Sequence, residues 1–183
     1  KVLEDQGVTD KIKLTGLAHG YAGICLAIAG YYDICKERKY LSFVEELIEI
    51  ENQHYDERKA NWRDLRNQDK DGDPVYWCYG APGIGISRMK TYQYTKSDSC
   101  KADLERCIEK MKDSILELKD HSLCHGMLGN IDCLISISEV LAEYSGGVNK
   151  IIEETYFLIH EDIKKNGVVC GISNAYDMFS FML

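Results

Sequence analysis

Three stretches of the chain place apolar residues at helical spacing against a polar background. In 100–118 they are Leu104, Cys107, Ile108, Met111, Ile115 and Leu118. In 40–55 they are Leu41, Val44, Leu47 and Ile48, and in 148–165 they are Ile151, Ile152, Leu158, Ile159 and Ile163, with Thr155 on the same face. Spacing of i, i+3, i+4 and i+7 gathers such residues into one stripe, so each stretch predicts a helix with one buried and one solvated face. Between them lie segments of another kind, at 16–32, 77–92 and 123–144. Each opens with a glycine-rich loop (GLAHGYAGI, WCYGAPGIG, LCHGMLGN) and then runs apolar on most sides, the pattern of a helix enclosed by its neighbours. The order of glycine loop, enclosed helix and amphipathic helix thus occurs three times, and FML at 181–183 reads as the start of a fourth round.

Repetition on this scale implies stacked helical hairpins, none of which buries its apolar face alone. The expected architecture is all-α, one domain over 1–183, with inner helices starting at the glycine loops and the loops gathered at one end. Only Pro74 and Pro82 interrupt the chain, so helices can run long. The polar, acidic stretch 61–77 is expected to be a surface excursion before the second loop. Within it DKDGD, 69–73, faintly resembles a calcium loop, but the twelfth position counted from Asp69 is Gly80, where a bidentate Glu is needed. NGVV at 166–169 predicts a turn into an extended piece.

Charge and cysteine content narrow the chemistry. A net charge of −8 argues against a nucleic-acid surface, which needs clustered Lys and Arg. No apolar run reaches the ~20 residues of a membrane helix, and KVLEDQGVTDK lacks the apolar core of a signal peptide. The chain begins without Met, so an earlier segment is expected to precede it. With no export signal, the eight cysteines are read as mostly reduced. Cys25, Cys35, Cys107 and Cys133 are expected to act as small buried hydrophobes.

The remaining cysteines stand in the loops. The equivalent positions are Ala18-His19-Gly20, Cys78-Tyr79-Gly80 and Cys124-His125-Gly126. If the loops converge, Cys78, Cys124 and His125 offer two thiolates and an imidazole, a donor set suited to Zn²⁺. Three ligands leave a fourth position open for water or a thiol, giving hydrolysis or thiol activation. His19 would then serve as acid or base, with Tyr79 at the same level. Spacing alone leaves a purely structural role for these loops equally open, since neither CxxC nor HExxH occurs.

Taken together, GLAHGYAGI, WCYGAPGIG and LCHGMLGN resemble the lanthionine synthetase C-like cyclase family, from about Gly16 to the last residues. The resemblance implies an α/α toroid, an inner ring of helices inside an outer ring, incomplete in a chain about half the usual family length. It implies Zn²⁺ held by Cys78, Cys124 and His125, with His19 as acid or base and Tyr79 in support. The implied reaction adds a Cys thiol of a dehydrated precursor peptide to dehydroalanine or dehydrobutyrine, forming a thioether ring. The implied partners are that peptide and a dehydratase acting before the cyclase, in the cytoplasm or peripherally at the membrane with a biosynthetic complex. Alternatives are addition of another thiol such as glutathione, or a zinc-stabilised peptide-binding module without catalysis. The family has an Arg a few residues before its first zinc Cys; here DGDPVY precedes Trp77, which leaves Arg66 or Arg63 for that role, or neither.

Overall fold

The computed structural model describes residues 14–66 and 72–170. Within them lie α1 (Tyr21–Cys35), α2 (Lys39–Asn52), α3 (Ala81–Thr95), α4 (Asp98–Ser114), α5 (Met127–Ser138) and α6 (Ser145–Asn166). A short antiparallel pair, β1 (Tyr55–Asp56) and β2 (Asn61–Trp62), follows α2. Helices α1, α3 and α5 stand side by side with α3 in the middle, while α2, α4 and α6 each pack on the inner helix that precedes them. The expected all-α alternation of enclosed and amphipathic helices is therefore the architecture, one arc of an α/α toroid.

The apolar stripes explain the layering. On α4, Leu104, Cys107, Ile108 and Met111 are fully buried, in one core with Ile84 of α3 and Cys133, Leu134 and Ile137 of α5. Ser97 caps α4 by accepting the Cys100 amide at 3.1 Å. Helices α1 and α3 both end on a left-handed residue, Lys36 and Lys96, whose amides return to Tyr32 and Tyr92 carbonyls.

Some expectations are corrected. Leu158 is 43% exposed, because α6 is seated by Val148, Thr155 and Ile159 instead. Cys35, at the end of α1, is only half-buried. The third enclosed segment is helical only to Ser138; a 3-10 turn at Ala142–Tyr144 then leads into α6. The stretch after His54 is not all surface: Asn61 and Trp62 are buried, and Trp62 joins the main core. Of the calcium-like stretch, 69–71 lie outside the described residues, as does FML; Asp73 is taken up by Lys110 and Asn61. The extended piece after α6 bonds back to His121: its amide donates to the Val169 carbonyl at 2.8 Å, and its Nδ1 accepts from the Val169 amide at 3.1 Å.

The glycine loops repeat in detail. Gly20, Gly80 and Gly126 each immediately precede an inner helix, and a Cβ on them would strike the carbonyl oxygens of Leu14, Pro74 and Asp120 in turn. Gly23, Gly83 and Gly129 stand in the same relation to Leu17, Trp77 and Leu123. The backbone doubles back so tightly at each helix entry that no side chain fits. The second loop differs. The Asn61 side chain is wedged into it, donating to the Pro74 carbonyl at 3.0 Å and accepting the Ala81 amide at 3.0 Å. Gly80 there takes φ +91, which only glycine adopts readily. Gly80→Ala combines that strain with the clash, so unfolding by denaturant should show a loss of about 2–4 kcal/mol. A change within about 0.5 kcal/mol would mean that the loop has another accessible path.

One ionic cluster is sealed inside the helices. Arg88 of α3 and Glu51 of α2 are both 0% exposed, and Asp103 of α4 is 1% exposed. Arg88 donates through Nε to Asp103 Oδ2 at 2.8 Å and pairs through Nη2 with Glu51 Oε2 at 3.0 Å. Asn52 bridges by donating to Asp103 Oδ2 at 2.7 Å and accepting Trp62 Nε1 at 2.9 Å. Arg106 closes the chain on Asp103 Oδ1 at 3.3 Å.

Candidate metal centre

Two of the loops bring sulfur and nitrogen donors together at the starts of the inner helices. The second loop carries Cys78 two residues before Gly80, and the third carries Cys124 and His125 before Gly126. Cys78 Sγ lies 3.5 Å from His125 Nε2, and the ligand atoms of Cys78, Cys124 and His125 all fall within 4.8 Å of one another. Bond lengths of about 2.1 Å to nitrogen and 2.3 Å to sulfur in a tetrahedral site imply donor separations of about 3.5 to 3.8 Å. Cys78 and His125 already stand at such a separation and a shift of at most about 1 Å brings Cys124 to it, so this Cys-Cys-His group could hold a metal ion in a tetrahedral N/S site. Neither of its two cysteines is in a disulfide.

The protonation chemistry agrees. Burial lowers His125 below the usual histidine range, so at neutral pH its imidazole is uncharged and keeps a lone pair for a ligand. Burial first, then the neighbouring Cys124, pushes the Cys78 thiol up to about 12, while the Arg66 guanidinium pulls it down. The Cys78 sulfur, in a partly dry site beside a second sulfur, holds its proton until a cation displaces it. The third loop is shaped for the purpose: Ser122 Oγ accepts the His125 amide at 3.3 Å, and Asp120 accepts the Ser122 amide at 2.5 Å. Tyr76 stands edge-on to the His125 ring at 5.1 Å.

His19 and Tyr79 are placed differently from the ligands. The first loop is sewn to the second, since the Leu17 and Ala18 amides both donate to the Cys78 carbonyl, at 3.0 and 3.1 Å. Gly16, with φ +88, permits this approach: a Cβ there would meet the Cys78 carbonyl at 3.1 Å and the Tyr79 ring at 3.2 Å. His19 is exposed on this loop, next in sequence to Ala18, and is not part of the Cys-Cys-His group. Tyr79 is 4% exposed. Its ring is covered by the Arg66 guanidinium, 3.3 Å from the ring centroid, so it offers little surface to a substrate.

Of the two arginines the sequence offered, Arg66 is the one that lies near these groups, stacked on Tyr79. Asp64 grips it by Nε at 2.9 Å and Nη2 at 2.5 Å, leaving its flat face on Tyr79. Arg63 takes no such position; its backbone instead bonds His54 and Thr15. The sequence reading also passed over Glu51, Arg88 and Asp103. A signal for them existed, because Glu51 continues the Leu47 and Ile48 stripe and Asp103 sits between Cys100 and Leu104. A charge at a core register implies a buried partner.

Comparison with known proteins gives one consistent picture. The family model for lanthionine synthetase C-like proteins matches residues 5–183. The lacticin 481/lactococcin biosynthesis protein LcnDR2 of Lactococcus lactis subsp. lactis is 28% identical over 97% of this chain and 20% of its own length. The nisin biosynthesis protein NisC of the same organism is 26% identical over 86% of this chain and 42% of its own. Among solved structures, nisin cyclase superposes with a TM-score of 0.64 at 24% identity, over 87% of this chain and 44% of that one. The chain thus spans a fifth to under half of these relatives. Its helix order and its three glycine loops accord with that match, and this chain belongs to the lanthionine synthetase C-like family.

Proposed function

We propose that this chain carries the zinc centre of a lanthipeptide cyclase. The observation that supports this most is the convergence of Cys78, Cys124 and His125 from two separate loops into one group of tetrahedral dimensions. The names of the relatives, nisin cyclase and two lantibiotic biosynthesis proteins, point to peptides of that class. When bound, zinc supplies Lewis acidity that lowers the pKa of an incoming thiol. The reaction joins that thiol's sulfur to the β-carbon of dehydroalanine or dehydrobutyrine in the same peptide. The C=C π bond breaks, and the α-carbon gains a proton in place of the one lost from sulfur. His19 delivers that proton: it is exposed on the loop that bonds the Cys78 carbonyl, and an imidazole can both accept and donate a proton. Arg66, a fixed cation stacked on Tyr79, holds positive charge near the thiols and favours negative charge developing on the substrate carbonyl.

The substrate is a dehydrated precursor peptide, so a dehydratase acts earlier on the same peptide. Among the described residues no helix is long and apolar enough to cross a membrane. His19→Ala should leave the zinc content at its wild-type level and slow thioether formation by about 10² to 10⁴-fold, measured by mass spectrometry after alkylation of unreacted thiols. An unchanged rate would remove His19 from the reaction. Retained zinc with no thiol addition by any variant or by wild type would favour a peptide-binding module instead.

A further inference from the structure

Glu51 lies on an outer helix, yet its carboxylate closes the entry to an inner one. Oε1 accepts the Gly16 amide at 2.9 Å and the Ala22 amide at 3.2 Å. These two amides bracket the loop that carries His19. The other side of the loop hangs from the Cys78 carbonyl through Leu17 and Ala18. The loop is therefore held at two places, by a buried carboxylate and by the backbone of a metal-site cysteine.

The use of a charge here calls for a reason. Gly20 offers α1 no side-chain cap, as Gly80 and Gly126 offer none to α3 and α5. At α3 the neutral amide of Asn61 supplies the missing acceptor. A neutral group is thus enough to cap an inner helix, and burying a carboxylate is far more expensive. What the charge adds is rigidity. Burial raises Glu51 above the usual carboxylate range, but Arg88 and the two loop amides all point at it and favour the charged form. Arg88 is in turn fixed by Asp103, and Asp103 by Arg106 and Asn52. A carboxylate locked from behind in this way cannot swing, so neither can the two amides it holds.

We infer that Glu51, backed by Arg88, is a positioning residue for His19, setting the first loop against Cys78 so that the imidazole stands at proton-transfer reach of the metal centre. This rests on the role given to His19 above. Glu51 itself touches neither substrate nor metal ligand.

The test is Glu51→Asp, which keeps the buried charge beside Arg88 but withdraws it by one methylene from the loop. In the 183-residue chain, kcat for thioether formation should fall about 10 to 100-fold, because small misplacements of an acting group are costly. KM and zinc per chain should stay unchanged. Amide exchange followed by NMR should quicken at least about tenfold at Gly16 and Ala22, with Tyr21, which donates to the Leu14 carbonyl, still protected. A folded, zinc-loaded variant with wild-type kcat would overturn the inference. So would a loss of kcat that merely follows a loss of zinc. If wild type forms no thioether, the proposed function fails by itself and the exchange measurement decides: unchanged protection at Gly16 and Ala22 overturns the clamp. Should Glu51→Asp not fold, Glu51→Gln is read in the same way, since Arg88 and the loop amides then compete for one amide oxygen.

Discussion

Cys124→Ala is expected to reduce bound zinc from about one per chain to near zero, by elemental analysis of the purified protein, without unfolding it. Cys124 is half-buried at the loop surface and is not part of either hydrophobic core, so the helices lose no packing. The metal loses one of three protein ligands, and a two-ligand site does not retain zinc against buffer. Thioether formation should drop with it by about 10² to 10³-fold, the equivalent of a few kcal/mol of Lewis-acid stabilisation. The pH dependence has a definite sign. The Cys78 thiol, pushed up to about 12 by burial and by Cys124, is protonated at neutral pH until metal enters. Zinc uptake therefore releases protons, and affinity rises with pH and weakens in acid. A folded wild-type sample without zinc at neutral pH would mean that the three groups do not act as a metal site.

Arg88→Met should have the largest effect on stability. The guanidinium is fully buried between Glu51 and Asp103, and removing it leaves buried Glu51 with only the loop amides and Asp103 with only Arg106 and Asn52. Breaking a buried ion pair on one side only typically costs about 3–5 kcal/mol. A domain has about 5–15 kcal/mol in total, so urea should unfold the variant at a much lower midpoint. The compensating variant, Arg88→Met with Glu51→Gln and Asp103→Asn, removes the stranded charges and should recover much of the loss. A single variant within about 1 kcal/mol of wild type would show that water or protonation neutralises the cluster.

The two expected results separate two kinds of information in the chain. The helices were legible because burial on one stripe leaves a period in the sequence, as in Leu104, Cys107, Ile108 and Met111. The loops were legible because GLAHG, CYG and CHG repeat, and the repetition reflects a shared constraint: each glycine abuts its own loop's backbone at the helix entry. The donor set was legible from spacing only as one of two equal readings, and the family resemblance named it. The arginine was legible only as a choice between Arg66 and Arg63, or neither. Arg66 reaches Tyr79 from twelve positions before Cys78 only because β2 and the Asn61 wedge fold the chain back over the second loop, and a two-residue strand leaves no period to read.

What the sequence alone determined is therefore local and repetitive: all-α hairpins in two layers, three glycine-bounded helix entries, and Cys and His as candidate donors in the loops. What the tertiary structure decided is every relation between distant positions. It placed Cys78 Sγ 3.5 Å from His125 Nε2, joined Glu51, Arg88 and Asp103 into one buried cluster, and hung the His19 loop from the Cys78 carbonyl. The physical reason is the same in each case. Periodicity records which side of an element faces the core, whereas an ion pair or a metal site depends on the distance between elements, and that distance is set only when the helices pack.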